Sequence, residues 1–122
     1  MPWLAIIADD LTGALDTAAP FAASPRGVAV ASRPDALAGA LAADADVVAV
    51  STRSREIAPV AAREAVERVL AALPDGIRVF KKVDSRLKGN IVAELAPFAP
   101  RRIVAAPAIP EFGRVVRGGL LS

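Results

Sequence analysis

Short apolar runs alternate with amphipathic segments along the whole chain. The apolar, β-compatible runs predict strands over 3–8, 28–31, 47–50, 77–83 and 103–106. The segments between them space apolar residues at helical intervals and predict helices over 12–23, 34–43, 59–73 and 91–98, the first of which is kinked or ended early by Pro20. Because strands and helices alternate across short links, we expect a doubly wound, Rossmann-like α/β fold with a parallel sheet of about five strands in three αβα layers.

Polar residues are concentrated where four of these strands end, whereas the exit of the second strand, Ser32-Arg33, is ordinary. The polar positions are Asp9, Asp10 and Thr12, then Ser51 to Arg55, then Asp84, Ser85, Arg86, Lys88, Gly89 and Asn90, and finally Glu111, Gly113 and Arg114. The carboxyl ends of parallel strands share one edge of a sheet, so these residues converge whatever the strand order. Arginine binds a carboxylate through two hydrogen bonds and aspartate accepts from hydroxyls, so the edge favours a small, polyhydroxylated, anionic ligand.

Each of these residues also has a purely structural explanation. Two adjacent carboxylates repel each other, so their placement needs an explanation. A helix cap at Asp10 with a solvated Asp9 explains it as well as a bound cation or polar ligand does. The other structural alternatives are solvated side chains at Arg53 and Arg55, a capping role for Ser54, and a plain turn at Gly89-Asn90. All of these alternatives stay open at the level of the sequence.

Two adjacent lysines lie in the fourth predicted strand. Side chains alternate across a strand, so one of Lys81 and Lys82 points at a face covered by helices. A lysine there needs a partner, and Asp84 is a candidate.

Composition narrows the chemistry. The chain has 122 residues, enough for one domain, with no histidine and no cysteine, so any chemistry uses carboxylates, Lys, Arg, hydroxyls or backbone amides. The net charge is +2, and basic residues are not interleaved with aromatic ones, which argues against a nucleic-acid partner. Charges or prolines interrupt every apolar stretch and the N-terminus lacks a signal-peptide pattern, so we expect no membrane association and a cytoplasmic location.

Four segments follow one another in an order typical of one family. They read ADDLTGALDT at 8–17, STRSR at 51–55, KVDSRLKGN at 82–90 and PAIPEFGR at 107–114. They resemble the motifs A-D-D-[FL]-T-G-A-x-D, S-T-x-S-R, K-x-D-S-T-L-R-G-N and P-A-F-P-x-x-G-R of the four-carbon acid sugar kinases. The third motif departs from the pattern, with Arg86 where Thr is usual and Lys88 where Arg is usual, and these departures bear on which substrate is bound.

The resemblance implies a domain of an ATP-dependent kinase for four-carbon sugar acids of the threonate, erythronate or oxo-tetronate type. In that family the N-terminal domain holds the sugar acid and the C-terminal domain holds ATP. We therefore expect residues 1–122 to form a partial, incomplete N-terminal sugar-acid-binding domain, with the ATP-binding domain absent. ATP and Mg²⁺ would be bound in the complete enzyme mainly outside this chain.

Carried over motif by motif, the resemblance makes Asp10 the catalytic residue that orients or deprotonates the accepting hydroxyl. Arg55 and Lys82 would hold the carboxylate of the sugar acid. The substrate-binding residues predicted from the motifs and from the polar edge together are Asp9, Asp10, Arg53, Arg55, Lys82, Val83, Asp84, Ser85, Arg86, Gly89, Asn90 and Arg114, with no metal ligand.

A second hypothesis comes from the absence of a nucleotide motif: the sequence has neither G-x-x-x-x-G-K-[ST] nor G-x-G-x-x-G. The chain would then be a non-catalytic small-molecule-binding or regulatory module, or an inactive remnant. In either case we expect this chain alone to be inactive as a kinase. The predicted strand at 103–106 is apolar on both sides, and as an exposed edge it would lead to self-association or to pairing with a missing C-terminal domain.

Overall fold

The computed structural model describes residues 1–83 and 89–98, together with the backbone of two short strands near the C-terminus. The strands are β1 (Leu4–Ala8), β2 (Val28–Ala31), β3 (Val47–Ser51), β4 (Arg78–Lys82), β5 (Val116–Arg117) and β6 (Leu120–Leu121). The α-helices are α1 (Leu11–Ala18), α2 (Leu37–Ala42), α3 (Pro59–Ala72) and α4 (Ile91–Leu95). Short 3-10 turns lie at Ala19–Phe21, Pro34–Ala36 and Ala96–Phe98.

Strands β1 to β4 form one parallel sheet in the order β2-β3-β1-β4. The predicted parallel α/β fold is therefore confirmed, with four strands in the described sheet instead of about five. The predicted strand at 103–106 lies outside the described residues. Strands β5 and β6 pair with each other in antiparallel fashion.

The helices cover both faces of the sheet because the crossovers run in opposite directions. The connection from β1 to β2 passes over β3 one way along the sheet, and the connection from β3 to β4 passes over β1 the other way. Right-handed crossovers of opposite direction place their helices on opposite faces. Helix α1 accordingly packs on one face, and helices α2 and α3 pack on the other. This arrangement confirms the three predicted layers.

The core consists of two apolar clusters separated by the sheet. Alternation along β1 sends Ala5 and Ile7 toward α2 and α3, and Ile6 and Ala8 toward α1. Every residue of β3 is buried, as a continuous apolar run in a central parallel strand requires. The carboxyl ends of β1 and β3 are thus held rigidly at the centre of one edge.

Several predicted boundaries are wrong by a few residues. The first α-helix ends at Ala18 and a 3-10 turn follows, because Pro20 has no N–H to continue the α-helical ladder. The bound at residue 23 is therefore wrong, and the early end expected at Pro20 is confirmed. The fourth strand covers Arg78–Lys82 instead of 77–83. In the described part of the chain, no helix has the length and apolar character needed to cross a bilayer.

Candidate functional site

A crevice opens between the carboxyl ends of β1 and β3. The chain leaves these two neighbouring strands toward opposite faces of the sheet, and such a switch point is where open α/β sheets bind ligands. An open cleft of about 370 Å³ lies there. It is lined by Asp9, Asp10, Leu11, Ser32, Ser51, Arg53, Arg55 and Glu56.

The two loops that leave β1 and β3 are hydrogen-bonded to each other beyond the ends of the strands. The amide of Thr52 donates to the carbonyl of Ala8 at 2.8 Å, and the amide of Ser54 donates to the carbonyl of Asp9 at 3.0 Å. The Thr52 hydroxyl donates to the Ala8 carbonyl as well, at 3.1 Å. Since that uses its only proton, the buried Ser54 hydroxyl must be the donor in its 2.5 Å contact with Thr52. Ser54 therefore has a structural role, although not as a helix cap.

Arg55 holds both adjacent carboxylates. Its Nε lies 3.3 Å from Oδ2 of Asp9 and its Nη2 lies 3.1 Å from Oδ1 of the same residue. Its Nη1 lies 3.1 Å from Oδ2 of Asp10. One guanidinium thus offsets the repulsion between the two aspartates. The alternatives of a solvated Asp9 and a solvated Arg55 are wrong, since Asp9 is only 5% exposed and both residues are paired.

Asp10 is also the N-cap of helix α1. Its backbone is extended, and its Oδ1 accepts from the amide of Gly13 at 2.7 Å, as a capping side chain does. A side chain at position 13 would place its Cβ 2.8 Å from that same oxygen, so the close approach requires glycine. The capping alternative for Asp10 is therefore confirmed, and it coexists with the position of Asp10 in the cleft.

Gly89 lies against Asp9 and Arg55, and Asn90 is bonded to the loop that carries Arg55. Gly89 has a φ of +92°, and a Cβ there would lie 2.7 Å from Oδ2 of Asp9 and 3.3 Å from Cγ of Arg55. The Asn90 Nδ2 group donates to the carbonyls of Ser54 at 2.9 Å and Ile57 at 2.8 Å. This pair makes specific contacts with the site, so it is more than a plain turn.

The two lysines of β4 point to opposite faces, as predicted. Lys81 meets helix α4, where its Nζ lies 3.1 Å from Oε1 of Glu94, and both side chains are buried. Glu94 Oε1 makes no hydrogen bond of good geometry, so the contact is chiefly electrostatic. The predicted need for a partner is met by Glu94, and the candidate Asp84 lies outside the described residues. Lys82 lies on the α1 face beside Gly13, and its Nζ donates to the Val83 carbonyl.

The structure brings four of the predicted site residues into the wall of the cleft. Asp9, Asp10, Arg53 and Arg55 line it, and Arg53 has a φ of +53°, a conformation that non-glycine residues rarely adopt and that is frequent at functional sites. Among the described residues, four further predicted site residues do not line the cleft: Lys82, Val83, Gly89 and Asn90. The predictions that lie outside the described residues are Asp84, Ser85, Arg86 and Arg114.

Sequence reasoning missed Ser32, Leu11 and Glu56 as cleft residues. Ser32 follows β2 and appeared ordinary, yet β2 lies next to β3, so its exit faces the same crevice. The sequence could have indicated Ser32, because all strands of a parallel sheet end at the same edge and this rule applies to the second strand as well.

The lining carries acidic and basic side chains in close alternation. Asp9 and Asp10 are paired with Arg55, while Arg53 and Glu56 are exposed at the mouth. Within the ranges that the structure describes, no three acidic side chains are grouped so that they could hold a metal ion. The cleft therefore offers both a cation for a ligand carboxylate and carboxylates for ligand hydroxyls.

A crevice of this kind, at the switch point of a parallel α/β sheet and lined by arginine and aspartate, defines a domain that binds a small polar ligand. The chain belongs to the family described as the sugar-binding N-terminal domain, whose model matches residues 4–122. The predicted family resemblance is thereby confirmed.

Three relatives are similar to nearly the whole chain. A D-threonate kinase of Cupriavidus necator is 44% identical over 127 residues, which cover 99% of this chain and 29% of that protein. A D-threonate kinase of Bordetella bronchiseptica is 42% identical over 132 residues, covering 98% and 32%. A 3-oxo-tetronate kinase of Cupriavidus necator is 40% identical over 134 residues, covering 98% and 30%. The chain spans about three-tenths of the length of these relatives.

Proposed function

We propose that this chain is the sugar-acid-binding part of an ATP-dependent kinase that phosphorylates a four-carbon sugar acid. The observation that carries the proposal is the cleft at the switch point, where Arg55 bridges Asp9 and Asp10 and Arg53 stands at the wall. The family match and the relatives named as D-threonate and 3-oxo-tetronate kinases support it.

The two aspartates differ in what they can reach. The side chain of Asp9 is 6% exposed and that of Asp10 is 33% exposed, although both contact Arg55. A carboxylate oxygen has two lone pairs, so Asp10 can accept from a ligand hydroxyl while it keeps Gly13 and Arg55 as partners. In our proposal Asp10 orients or deprotonates the accepting hydroxyl, and Asp9 holds Arg55 in place.

The carboxylate of the sugar acid would be bound by the basic side chains around the cleft. Arg53 is exposed at its wall, Arg55 contacts the capping residue Asp10, and Lys82 lies beside Gly13 in the first turn of α1. Guanidinium groups bind a carboxylate through two parallel hydrogen bonds. The further contacts that we propose from the motifs and the polar edge are Val83, Asp84, Ser85, Arg86, Gly89 and Arg114.

ATP and Mg²⁺ belong to the proposal as partners bound mainly outside this chain. The carboxylates of Asp9 and Asp10 are engaged by Arg55, so the described residues do not fit a metal ion held by this pair alone. Mg²⁺ would arrive with the nucleotide and supply charge stabilisation during phosphoryl transfer. The cytoplasmic location inferred from the sequence stays a prediction.

Isothermal titration of D-threonate, L-threonate and D-erythronate into the chain tests the proposal. We expect saturable binding of at least one of these acids, weakened about tenfold or more in Asp10→Asn, because asparagine keeps the helix cap but loses the charge that pairs with Arg55 and accepts the hydroxyl proton. Asp35→Asn, which removes an exposed carboxylate at the start of another helical segment, is the matched control and should bind as the unsubstituted chain does.

The outcomes separate the alternatives. Absence of heat with all three acids would contradict sugar-acid binding, and identical binding by Asp10→Asn would remove Asp10 from the site. Release of ADP by this chain with ATP and a tetronate would instead exclude the non-catalytic module.

A further inference from the structure

Asn90 uses both of its amide hydrogens on the protein itself. Its Nδ2 donates to the carbonyl of Ser54 at 2.9 Å and to the carbonyl of Ile57 at 2.8 Å. A primary amide has two donor hydrogens, so no donor remains for a ligand. The sequence predicted Asn90 as a substrate contact, and these two bonds indicate a different role.

The two carbonyls that Asn90 binds lie on either side of Arg55 in the chain. On the opposite side of the same segment, the amide of Ser54 donates to the carbonyl of Asp9 at 3.0 Å. The backbone that carries Arg55 is therefore held between the β1 exit and Asn90. A side chain on a backbone fixed at both ends loses little freedom when it forms a fork with two carboxylates.

Asn90 is itself anchored to the sheet. Its carbonyl accepts from the amide of Glu94 at 2.9 Å, which begins helix α4. Glu94 contacts Lys81 of β4 at 3.1 Å in a buried ion pair. The preceding residue, Gly89, lies so close to Asp9 and Arg55 that no side chain fits there. A continuous set of contacts thus connects β4 with the Arg55 guanidinium.

We infer that Asn90 is a positioning residue that sets the Arg55 guanidinium against Asp9 and Asp10, and that its amide hydrogens bind the protein and not the sugar acid. The inference deepens the proposed function of the cleft and rests on it for its consequence, which is the affinity for a tetronate. The placement of Arg55 by Asn90 is measurable without any ligand.

The composition of the chain makes Asn90 directly observable by NMR. It is the only asparagine and there is no glutamine, so the chain has a single side-chain amide. In a ¹⁵N-labelled sample the one NH₂ pair is therefore assigned without mutagenesis. We expect both protons to exchange with water more slowly than those of free asparagine amide, and to shift little when D-threonate is added. Exchange at the free rate, or a large ligand-induced shift with loss of protection, would overturn the inference.

The second readout is the Nε–H signal of Arg55, assigned by its loss in Arg55→Lys. We expect Asn90→Ala and Asn90→Asp to accelerate its exchange and to weaken D-threonate binding about tenfold or more, since Arg55 is no longer held in register. Val92→Ala is the neutral control, because Val92 is 85% exposed two residues further on. Val66→Ala, in the buried core, is a control for lost stability alone.

Each result decides one question. If Asn90→Ala leaves both the Arg55 signal and the D-threonate affinity unchanged while remaining folded, the positioning role is excluded. If Val66→Ala changes the Arg55 signal as much as Asn90→Ala does, the effect is one of stability and the inference fails. If the unsubstituted chain binds no tetronate, the proposed function fails, and the amide and Arg55 signals still establish or exclude the positioning role.

Discussion

Arg55 and Asp9, which are 46 residues apart in the chain, form a two-point contact at the carboxyl edge of the sheet. Nε and Nη2 of the arginine lie 3.3 Å and 3.1 Å from the two oxygens of the aspartate. Asp9 is buried beside Asp10, and Arg55 is an ion-pair partner of both carboxylates. The geometry of the fork, more than the presence of a positive charge, holds the pair together.

Arg55→Lys keeps the charge and removes the fork. We expect the free energy of unfolding to fall by about 1–2 kcal/mol, because a lysine cannot make the paired hydrogen bonds to Asp9. Urea denaturation measures the change. The control is Arg63→Lys, in an exposed pair with Glu67, where the expected change is within about 0.5 kcal/mol. Equal effects at the two positions would contradict the prediction.

Gly89→Ala should destabilise the chain more than the same substitution at Gly76. Both glycines have positive φ, +92° and +79°, so each substitution carries a backbone penalty of about 1–2 kcal/mol. Only at Gly89 does the new Cβ meet Asp9 and Arg55, which adds about 1–3 kcal/mol for overpacking. Thermal and urea denaturation of both variants give the difference. A larger loss in Gly76→Ala would show that Gly89 has more space than the structure indicates.

The buried pair of Lys81 and Glu94 should show strong coupling in a double-mutant cycle. Lys81→Met alone leaves a buried carboxylate without a partner and should lower the free energy of unfolding by about 3–5 kcal/mol. The double variant Lys81→Met/Glu94→Leu should recover most of this loss, since two apolar side chains replace two buried charges. The exposed pair Arg63–Glu67 serves as the comparison cycle. Additive losses in the Lys81–Glu94 cycle would mean that the two charges are stabilised independently.

Asp44 gives the chain one acid-sensitive contact. A hydrogen bond from the Met1 ammonium group, its charge and the charge of Arg26 lower the pKa of the Asp44 carboxyl. A carboxyl group whose pKa is lower in the folded state than in the unfolded state stabilises the fold at pH values above its unfolded-state pKa. This stabilisation is lost as the pH falls through the folded-state pKa. Compared with Asp44→Asn, the unsubstituted chain should therefore melt higher near neutral pH, and the difference should shrink below about pH 4.

Asparagine suits this test because Asp44 has a φ of +53°, which asparagine also tolerates. Asp75→Asn removes the same charge from an exposed turn and serves as the control. A difference in melting temperature that stays constant down to the acid limit would show that the Asp44 contacts do not form in solution.

Self-association stays a prediction, since the strand that suggested it, at 103–106, lies outside the described residues. In the described sheet β4 is an edge strand, and its Phe80 is about half exposed. We expect the sedimentation coefficient to rise with concentration, and to rise less in Phe80→Lys, because a charged residue on an edge opposes pairing with another chain. A monomer at all concentrations would contradict the prediction.

The sequence by itself determined the elements and the edge at which they present their polar residues. The apolar runs of β1 and β3 are continuous because these strands are covered on both faces. Such runs can therefore be recognised as buried strands from the sequence alone. The cap at Asp10 was among the alternatives because capping depends on residues three positions apart. The polar strand exits and the family motifs pointed to the same edge, and four of the residues predicted there, Asp9, Asp10, Arg53 and Arg55, line the cleft.

Only the tertiary structure decided which residues face one another across that edge. The strand order brought Ser32 into the cleft, and it follows from the direction of each crossover, which local periodicity does not encode. The side-chain amide of Asn90 donates both of its hydrogens to the carbonyls of Ser54 and Ile57, which are 36 and 33 residues away in the chain. No side-chain donor of Asn90 is left for a ligand. The type of a residue determines which hydrogen bonds its side chain can make, but contacts with residues far away in the chain determine which of these bonds form. For Asn90, these contacts favour a positioning role over a binding role.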